Sequence, residues 1–167
     1  MRHKTFASMA LMSAFLIGTF SAALADEDQT SWLFTQTTAG FTATDDTLTI
    51  PYERLIFAFS DRPNRKHAYM TAQEFASLWA TGEDSFSSNP PNAVLTWVAD
   101  GAMSEAEVVL TAAEVDERGR SITYTITLED GQTLPMSGSQ ASLFVDGWIS
   151  SDDWFCILCA WTPIILP

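Results

Sequence analysis

Alternation of apolar and polar residues dominates the chain beyond residue 30 and restricts it to folds built from β-strands. The clearest case is residues 121–128, whose even-numbered positions are Ile, Tyr, Ile and Leu and whose odd-numbered positions are hydroxyl residues. A period of two places the apolar side chains of an extended strand on one face. Residues 105–115 are its predicted partner, and residues 116–119 form the turn of a β-hairpin because Gly119 tolerates a positive φ.

Seven or eight short strands are predicted in total, with threonine and aromatic residues enriched throughout. Residues 93–98 are apolar on both faces, which indicates a central strand. Asp130 and Gly131 mark a turn. The remaining predicted strands are 32–38, 42–50 with a turn at Asp45 and Asp46, 55–59 with Leu55, Phe57 and Phe59 alternating, and 141–148.

One short helix is predicted over about residues 71–81. Thr71 and Glu74 have the spacing of a capping box, in which each side chain satisfies a free backbone N–H. Apolar residues at helical spacing follow, and Gly82 ends the pattern. The fold class expected is therefore mainly β: an antiparallel β-sandwich or a partly closed barrel with one short α-helix, preceded by a signal-peptide helix.

The first 25 residues have the pattern of a signal peptide. Arg2 and Lys4 precede an apolar run, and small residues stand at Ala23 and Ala25, so we expect cleavage after Ala25. The alternative is an uncleaved anchor, but the apolar run is shorter than the ~20 residues of a spanning helix. The expected organisation is a signal peptide (1–25), one β-rich domain (26–150) and an apolar tail (151–167), in the periplasm or outside the cell.

The mature chain is strongly acidic. All 21 Asp and Glu residues lie beyond the leader and only six of the eight Lys and Arg residues do, which gives a formal charge of −15. Such a surface repels phosphate backbones, so a nucleic-acid partner is excluded, and no membrane-spanning segment is expected in the mature protein. The partner expected is a protein or a small ligand.

Four motifs follow one another along the chain: Ser60-Asp61-Arg62-Pro63, Glu74-Phe75 with Trp79, Asp84-Ser85-Phe86, and Asn89-Pro90-Pro91-Asn92-Ala93. This set resembles a group of small secreted bacterial proteins of unknown function. The resemblance covers roughly residues 30–130 and implies a single secreted domain without assigning a chemical role to any residue.

Basic residues are concentrated in one segment of this acidic chain. Arg62, Arg65, Lys66 and His67 fall within six residues, with Arg54 upstream. The four clustered residues are candidates for binding an anionic group, in particular Arg62 and Arg65. The alternative is pairing within the protein, with Asp61, Glu74 or Asp84 as the carboxylates, which is the commoner fate of such clusters.

The segment between the helix and the next strand is rich in side-chain oxygens. Asp84, Ser85, Asn89 and Asn92 are the candidate binding residues. Glu83, Asp84 and Asn89 are weak candidates for calcium, because carboxylate and amide oxygens are the ligands calcium prefers. The spacing differs from that of an EF-hand loop, and a turn held by side-chain hydrogen bonds explains it more simply. No metal or cofactor is therefore predicted.

The tail contains the only two cysteines, Cys156 and Cys159. In an oxidising compartment they can form a local disulfide, and the alternative is two packed thiols. The tail is too short to span a membrane. It is expected either to pack as an edge strand or to dock on a partner or a lipid surface.

The leading functional hypothesis is a non-catalytic module that binds a ligand or a protein outside the cytoplasm. The rival is a small hydrolase that uses His67 with Asp61 and Asp84. We place His67 in a solvent-exposed loop, which is a poor environment for a general base. A third hypothesis is a domain stabilised by calcium.

Overall fold

The computed structural model of this chain describes residues 29–62, 65–80 and 85–150. The predicted leader, Glu83, Asp84 and the tail with Cys156 and Cys159 lie outside the described residues. The described part contains one short helix and eight strands. The strands are β1 (Gln29–Ala43), β2 (Thr47–Pro51), β3 (Ile56–Ser60), β4 (His67–Met70), β5 (Asn92–Ala99), β6 (Ala102–Val115), β7 (Ser121–Leu128) and β8 (Ser137–Ser150).

Six of the strands close into an antiparallel barrel in the order β1-β2-β7-β6-β5-β8, and β8 pairs again with β1. The prediction of a mainly β fold with one short helix is confirmed, and of the two architectures left open the barrel is the one formed. Closing a sheet on itself pairs the strand edges that would otherwise be exposed.

The remaining two strands extend the sheet to one side of β1. The first half of β1 pairs with β3, as at Trp32 opposite Ser60, whereas its end pairs with β2, as at Thr42 opposite Thr49. Strand β4 then pairs with β3. Strand β1 is long enough to pair with β3 and then with β2 along one edge, while it pairs with β8 along the other edge.

Aromatic residues fill the barrel interior beside the helical segment. The rings of Phe34, Phe75, Trp79, Phe86 and Tyr124 contact one another, with centroid separations between 4.9 and 6.4 Å. All five residues are buried. Each tilted or edge-to-face pair contributes roughly 0.5–1.5 kcal/mol beyond the burial of its area, so this cluster fixes the helix against the barrel.

The helix begins at the predicted capping box and is shorter than expected. Helix α1 spans Ala72–Ala76 and continues as a single 3-10 turn over Ser77–Trp79. The Thr71 hydroxyl accepts from the Glu74 backbone N–H at 3.2 Å, and the Glu74 carboxylate accepts from the Thr71 backbone N–H at 2.7 Å. Tightening to a 3-10 turn is common at a helix C-terminus. Here the turn carries the Trp79 indole into the barrel, where its N–H donates to the Leu110 carbonyl at 3.0 Å.

Two glycines permit close packing in the barrel wall. A Cβ at Gly147 would lie 2.4 Å from the ring of Phe86, and a Cβ at Gly40 would lie 2.7 Å from the Gly138 carbonyl oxygen. Gln140, beside that second contact, has a φ of 51°. The register between β5 and β8 shifts near this point, since Thr96 is opposite Ser142 and Val98 is opposite Ser139.

Candidate ligand-binding face

The outer surface of β1, β3 and β4 carries two cross-strand rows of side chains. Thr35 lies opposite Phe57, which in turn lies opposite Tyr69. The second row consists of Leu33, Phe59 and His67 in the same strand order. Because successive residues of a strand point to opposite faces, these side chains share the face opposite to that of the buried Trp32, Phe34, Ile56, Ala58 and Met70.

Four ring residues of these rows form what we call the aromatic face: Phe57, Phe59, His67 and Tyr69. Phe57 is at its centre, with ring centroids 5.1 Å from Tyr69, 5.6 Å from Phe59 and 6.5 Å from His67. Tyr69 is 63% exposed. Phe57 and Phe59 are half-buried and His67 is exposed, so the four rings together present a partly exposed aromatic surface, which is typical of an interaction site.

An open groove of about 430 Å³ borders the aromatic face. Its lining combines apolar rings with one cation and two hydroxyls: Thr35, Thr37, Arg54, Leu55, Phe57 and Tyr69. Leu55 is 51% exposed. Grooves of this volume that combine apolar walls with a few polar groups are typical of small-ligand sites.

Arg54 lines this groove, and the cations of the β3–β4 turn lie beyond the other end of β3, next to His67 of the aromatic face. Arg54, Arg62, Arg65 and Lys66 are exposed, and within the described part of the chain none has a carboxylate oxygen within 4.0 Å. Pairing with Glu74, one of the alternatives predicted, does not form, because the Glu74 carboxylate binds the hydroxyl and the backbone N–H of Thr71.

The β3–β4 turn is held by hydrogen bonds from its backbone N–H groups. The Asp61 carboxylate accepts from the Arg62 N–H at 2.6 Å, and the Asp61 carbonyl accepts from the Arg65 N–H at 3.1 Å. The buried Ser60 hydroxyl accepts from the Lys66 N–H at 2.9 Å. Arg65 has a φ of 47°, a conformation uncommon outside glycine, asparagine and aspartate. These contacts use Asp61 in the turn and leave the basic side chains at the surface.

His67 is the first residue of β4, so its prediction as a loop residue is wrong. Its pairing with Phe59 continues the ladder between β3 and β4, and its side chain remains exposed. Among the described residues, the side-chain contact of His67 is with the ring of Phe57 and not with a carboxylate. Asp61 is occupied in the turn, and Asp84 lies outside the described residues.

The other predicted binding residues lie away from this face. Ser85 and Asn89 form a turn in which the Ser85 carbonyl accepts from the Ser88 and Asn89 N–H groups. Asn92 begins β5 and lies opposite Asp146 of β8, two strands beyond β3 in the sheet. It lines a second groove of about 370 Å³, whose walls include Phe144 and three carboxylates. Arg62 and Arg65 thus lie in one turn next to β3, whereas Asn92 lies on the other side of β1 in the sheet.

One polar pair lies inside the barrel. The Tyr124 hydroxyl donates to the Gln36 side-chain oxygen at 2.7 Å, and burial raises the pKa of Tyr124 above its ordinary value. Within the described part of the chain the Gln36 side-chain NH₂ has no hydrogen-bond partner. A buried amide half satisfied in this way lowers stability.

The sequence analysis missed Arg54, Leu55, Phe57 and Tyr69 as groove residues. A signal was present: residues 55–59 are apolar at both odd and even positions, so the strand carries apolar side chains on both of its faces.

Comparison of the chain with known protein families, curated proteins and solved structures finds no match. Within the described residues, no set of three His, Cys, Asp or Glu side chains is placed to hold a metal ion. None of the described helices is long and apolar enough to cross a membrane.

Proposed function

We propose that this protein is an exported, non-catalytic binding module whose ligand site is the aromatic face together with the Arg54 groove. The observation that carries the proposal is the continuous outer row of Thr35, Phe57 and Tyr69 beside Arg54. The ligand group is apolar and aromatic and bears a negative charge, presented by a protein segment or a small molecule.

The preference for an apolar, aromatic ligand group rests on side chains that lie outside the core. The buried side of the same strands already packs Trp32, Phe34 and Ile56 into the interior. Phe57 and Tyr69 add nothing to that interior, yet their rings contact each other on the outside. Aromatic residues with a polar edge are enriched at binding surfaces, because they bury a large area while losing little conformational freedom.

The preference for a negatively charged ligand rests on the difference in charge between the site and the rest of the molecule. A chain with a formal mature charge of −15 repels anions in general, but Arg54 and the turn cations Arg62, Arg65 and Lys66 attract them locally. Within the described residues no carboxylate lies within 4.0 Å of these cations, which supports a role for their charge in binding an anionic group.

The aromatic part of the site is held in place by strand pairing. Phe57 and Phe59 lie on β3, which is paired on one side with β1 and on the other with β4. Side chains on a strand paired on both sides hold their positions better than those on loops, so little ordering is required when a ligand binds.

The test uses 8-anilinonaphthalene-1-sulfonate, an aromatic anion whose fluorescence rises in an apolar site. We expect the mature chain to bind it, and Arg54→Gln to weaken binding about tenfold through loss of the cation, which corresponds to ~1.4 kcal/mol. Arg118→Gln is the matched control, since Arg118 is exposed and interacts with Asp116. Equal affinities of the Arg54→Gln and Arg118→Gln variants would contradict the proposal.

A further inference from the structure

The described structure ends at the same end of the sheet as the β3–β4 turn, which carries Arg62, Arg65 and Lys66 and is called the basic turn below. Trp32 of β1 lies opposite Ser60 of β3 on one side and Gly147 of β8 on the other. Strand β8 runs on to Ser150, opposite Gln29, and the turn that follows Ser60 runs in the same direction. Strands β8 and β3 are two positions apart in the sheet, or about 10 Å.

The segment that follows Ser150 complements the site in both charge and hydrophobicity. Residues 151–167 begin with Asp152 and Asp153 close to the strand end, and Trp154 and Phe155 come next. Nine of the twelve residues after Phe155 are apolar or cysteine, and the others are threonine and proline. The two carboxylates are complementary in charge to the basic turn. The aromatic rings that follow them are complementary to the rings of the aromatic face.

The length of this segment is sufficient for it to return over the face. Phe144 lies opposite Thr35, six residues before Ser150 on β8, and Cys156 lies six residues after Ser150. Each of these stretches spans about 20 Å when extended. A segment that turns back after Ser150 therefore brings Cys156 or, after a wider turn, Cys159 over the row of Thr35.

We propose that residues 151–167 fold back over the aromatic face of the same chain, with Asp152 and Asp153 at the basic turn and Trp154 and Phe155 against the rings. The tail is then the built-in occupant of the site, and an external ligand must displace it. This inference rests on the proposed function for the identity of the site, but its test needs no external ligand.

Disulfide trapping tests the position of the tail directly. In the full mature chain, Thr35→Cys is combined with either Cys156→Ser or Cys159→Ser, so that one native thiol remains. Oxidised glutathione serves as the oxidant and takes up the two electrons released when the two thiols join. We expect a cross-link within the monomer for at least one of these chains, identified by peptide mass spectrometry.

Thr127→Cys is the matched control, because Thr127 is an exposed threonine on β7, on another side of the barrel. The expected yield of cross-linked monomer is about tenfold higher from position 35 than from position 127, since docking raises the local concentration of the tail thiol there. Equal yields from both positions overturn the proposal. A cross-link that forms only between two chains also overturns it and assigns the face to a second copy.

A second measurement does not depend on introduced cysteines. Asp152→Asn combined with Asp153→Asn removes the charges that hold the tail at the basic turn, so the affinity for 8-anilinonaphthalene-1-sulfonate rises severalfold as the site is freed. Unchanged affinity overturns the inference. If Arg54→Gln still weakens binding of the dye in that case, the proposed function stands and only the role of the tail fails.

Discussion

Tyr69 of β4 and Phe57 of β3 lie directly opposite each other, with their ring centroids 5.1 Å apart, on the outside of the sheet. On the inner side of the neighbouring strand, Phe34 contacts Phe75 of α1 at 5.1 Å. The extension of the barrel thus has aromatic residues on both faces, one supporting the fold and the other in contact with solvent. This separation makes the outer rings testable without disturbing the core.

Tyr69→Ser separates binding from stability. Because Tyr69 is 63% exposed, we expect the free energy of unfolding to change by less than about 1 kcal/mol. The affinity for 8-anilinonaphthalene-1-sulfonate should fall about tenfold, since the ring forms one wall of the groove. Met103→Ser is the control, because Met103 is 79% exposed and lies on β6, away from the groove. A loss of binding in both variants would refute a localised site.

Gly147→Ala tests the packing of the barrel wall against Phe86. The added methyl group would lie 2.4 Å from the Phe86 ring, which is fully buried and packs against the rings of Phe34 and Trp79. Overpacking of this kind costs about 1–3 kcal/mol. Urea denaturation measures the loss, and combining the substitution with Phe86→Leu should recover part of it. An unchanged urea midpoint for Gly147→Ala would contradict close packing between Gly147 and the Phe86 ring.

Tyr124 and Gln36 form a pair whose removal should be non-additive. Tyr124→Phe leaves the buried Gln36 oxygen without its donor and should cost about 1–3 kcal/mol. Adding Gln36→Leu removes both that oxygen and the unpaired NH₂, so the double variant should be more stable than Tyr124→Phe alone. Denaturation of both single variants and the double variant gives the coupling energy. Simple additivity would contradict a direct interaction.

Asp116 makes the β6–β7 hairpin sensitive to acid. Hydrogen bonds from the Arg120 and Ser121 N–H groups lower the pKa of Asp116 below its ordinary value of 3.8. The stabilisation is therefore present above pH 3.8 and is lost as the pH falls through the lowered pKa. We expect amide exchange in the hairpin to be faster in Asp116→Asn than in the wild type at neutral pH.

The amide exchange rates of Asp116→Asn and the wild type should become equal only when the pH falls below that lowered pKa, because both proteins then have an uncharged side chain at position 116. Asp130→Asn, in the turn after β7, is the control and should leave exchange in the hairpin unchanged. A constant difference between Asp116→Asn and the wild type down to acid pH would contradict the role of the carboxylate charge.

Local pattern was enough to predict the hairpin of β6 and β7. Residues 121–128 were predicted as a strand and form β7 with those bounds, while the predicted partner 105–115 is β6 without its first three residues. Those three residues follow Asp100 and Gly101, which have φ values of 52° and 76° and make the tight turn from β5. An Asp-Gly pair between apolar runs is a sequence signal for such a turn.

Barrel closure and the face of β3 depend on contacts distant in sequence. The alternation of Leu55, Phe57 and Phe59 correctly predicts a strand but not its orientation, because Ile56 and Ala58 between them are also apolar. Orientation is decided where β3 pairs with β1, whose own inner residues fill the barrel. Strand β4 has only four residues and directly follows basic residues, so no periodicity identifies it.

Amide NMR locates the bound dye residue by residue. In a titration of the isotope-labelled mature chain with 8-anilinonaphthalene-1-sulfonate, we expect the largest shift changes at Thr35, Phe57 and Tyr69, and we expect them to saturate together. Changes confined to other surfaces, such as Met103 on β6, or changes spread evenly over the barrel would contradict the claim that the aromatic face is the ligand site.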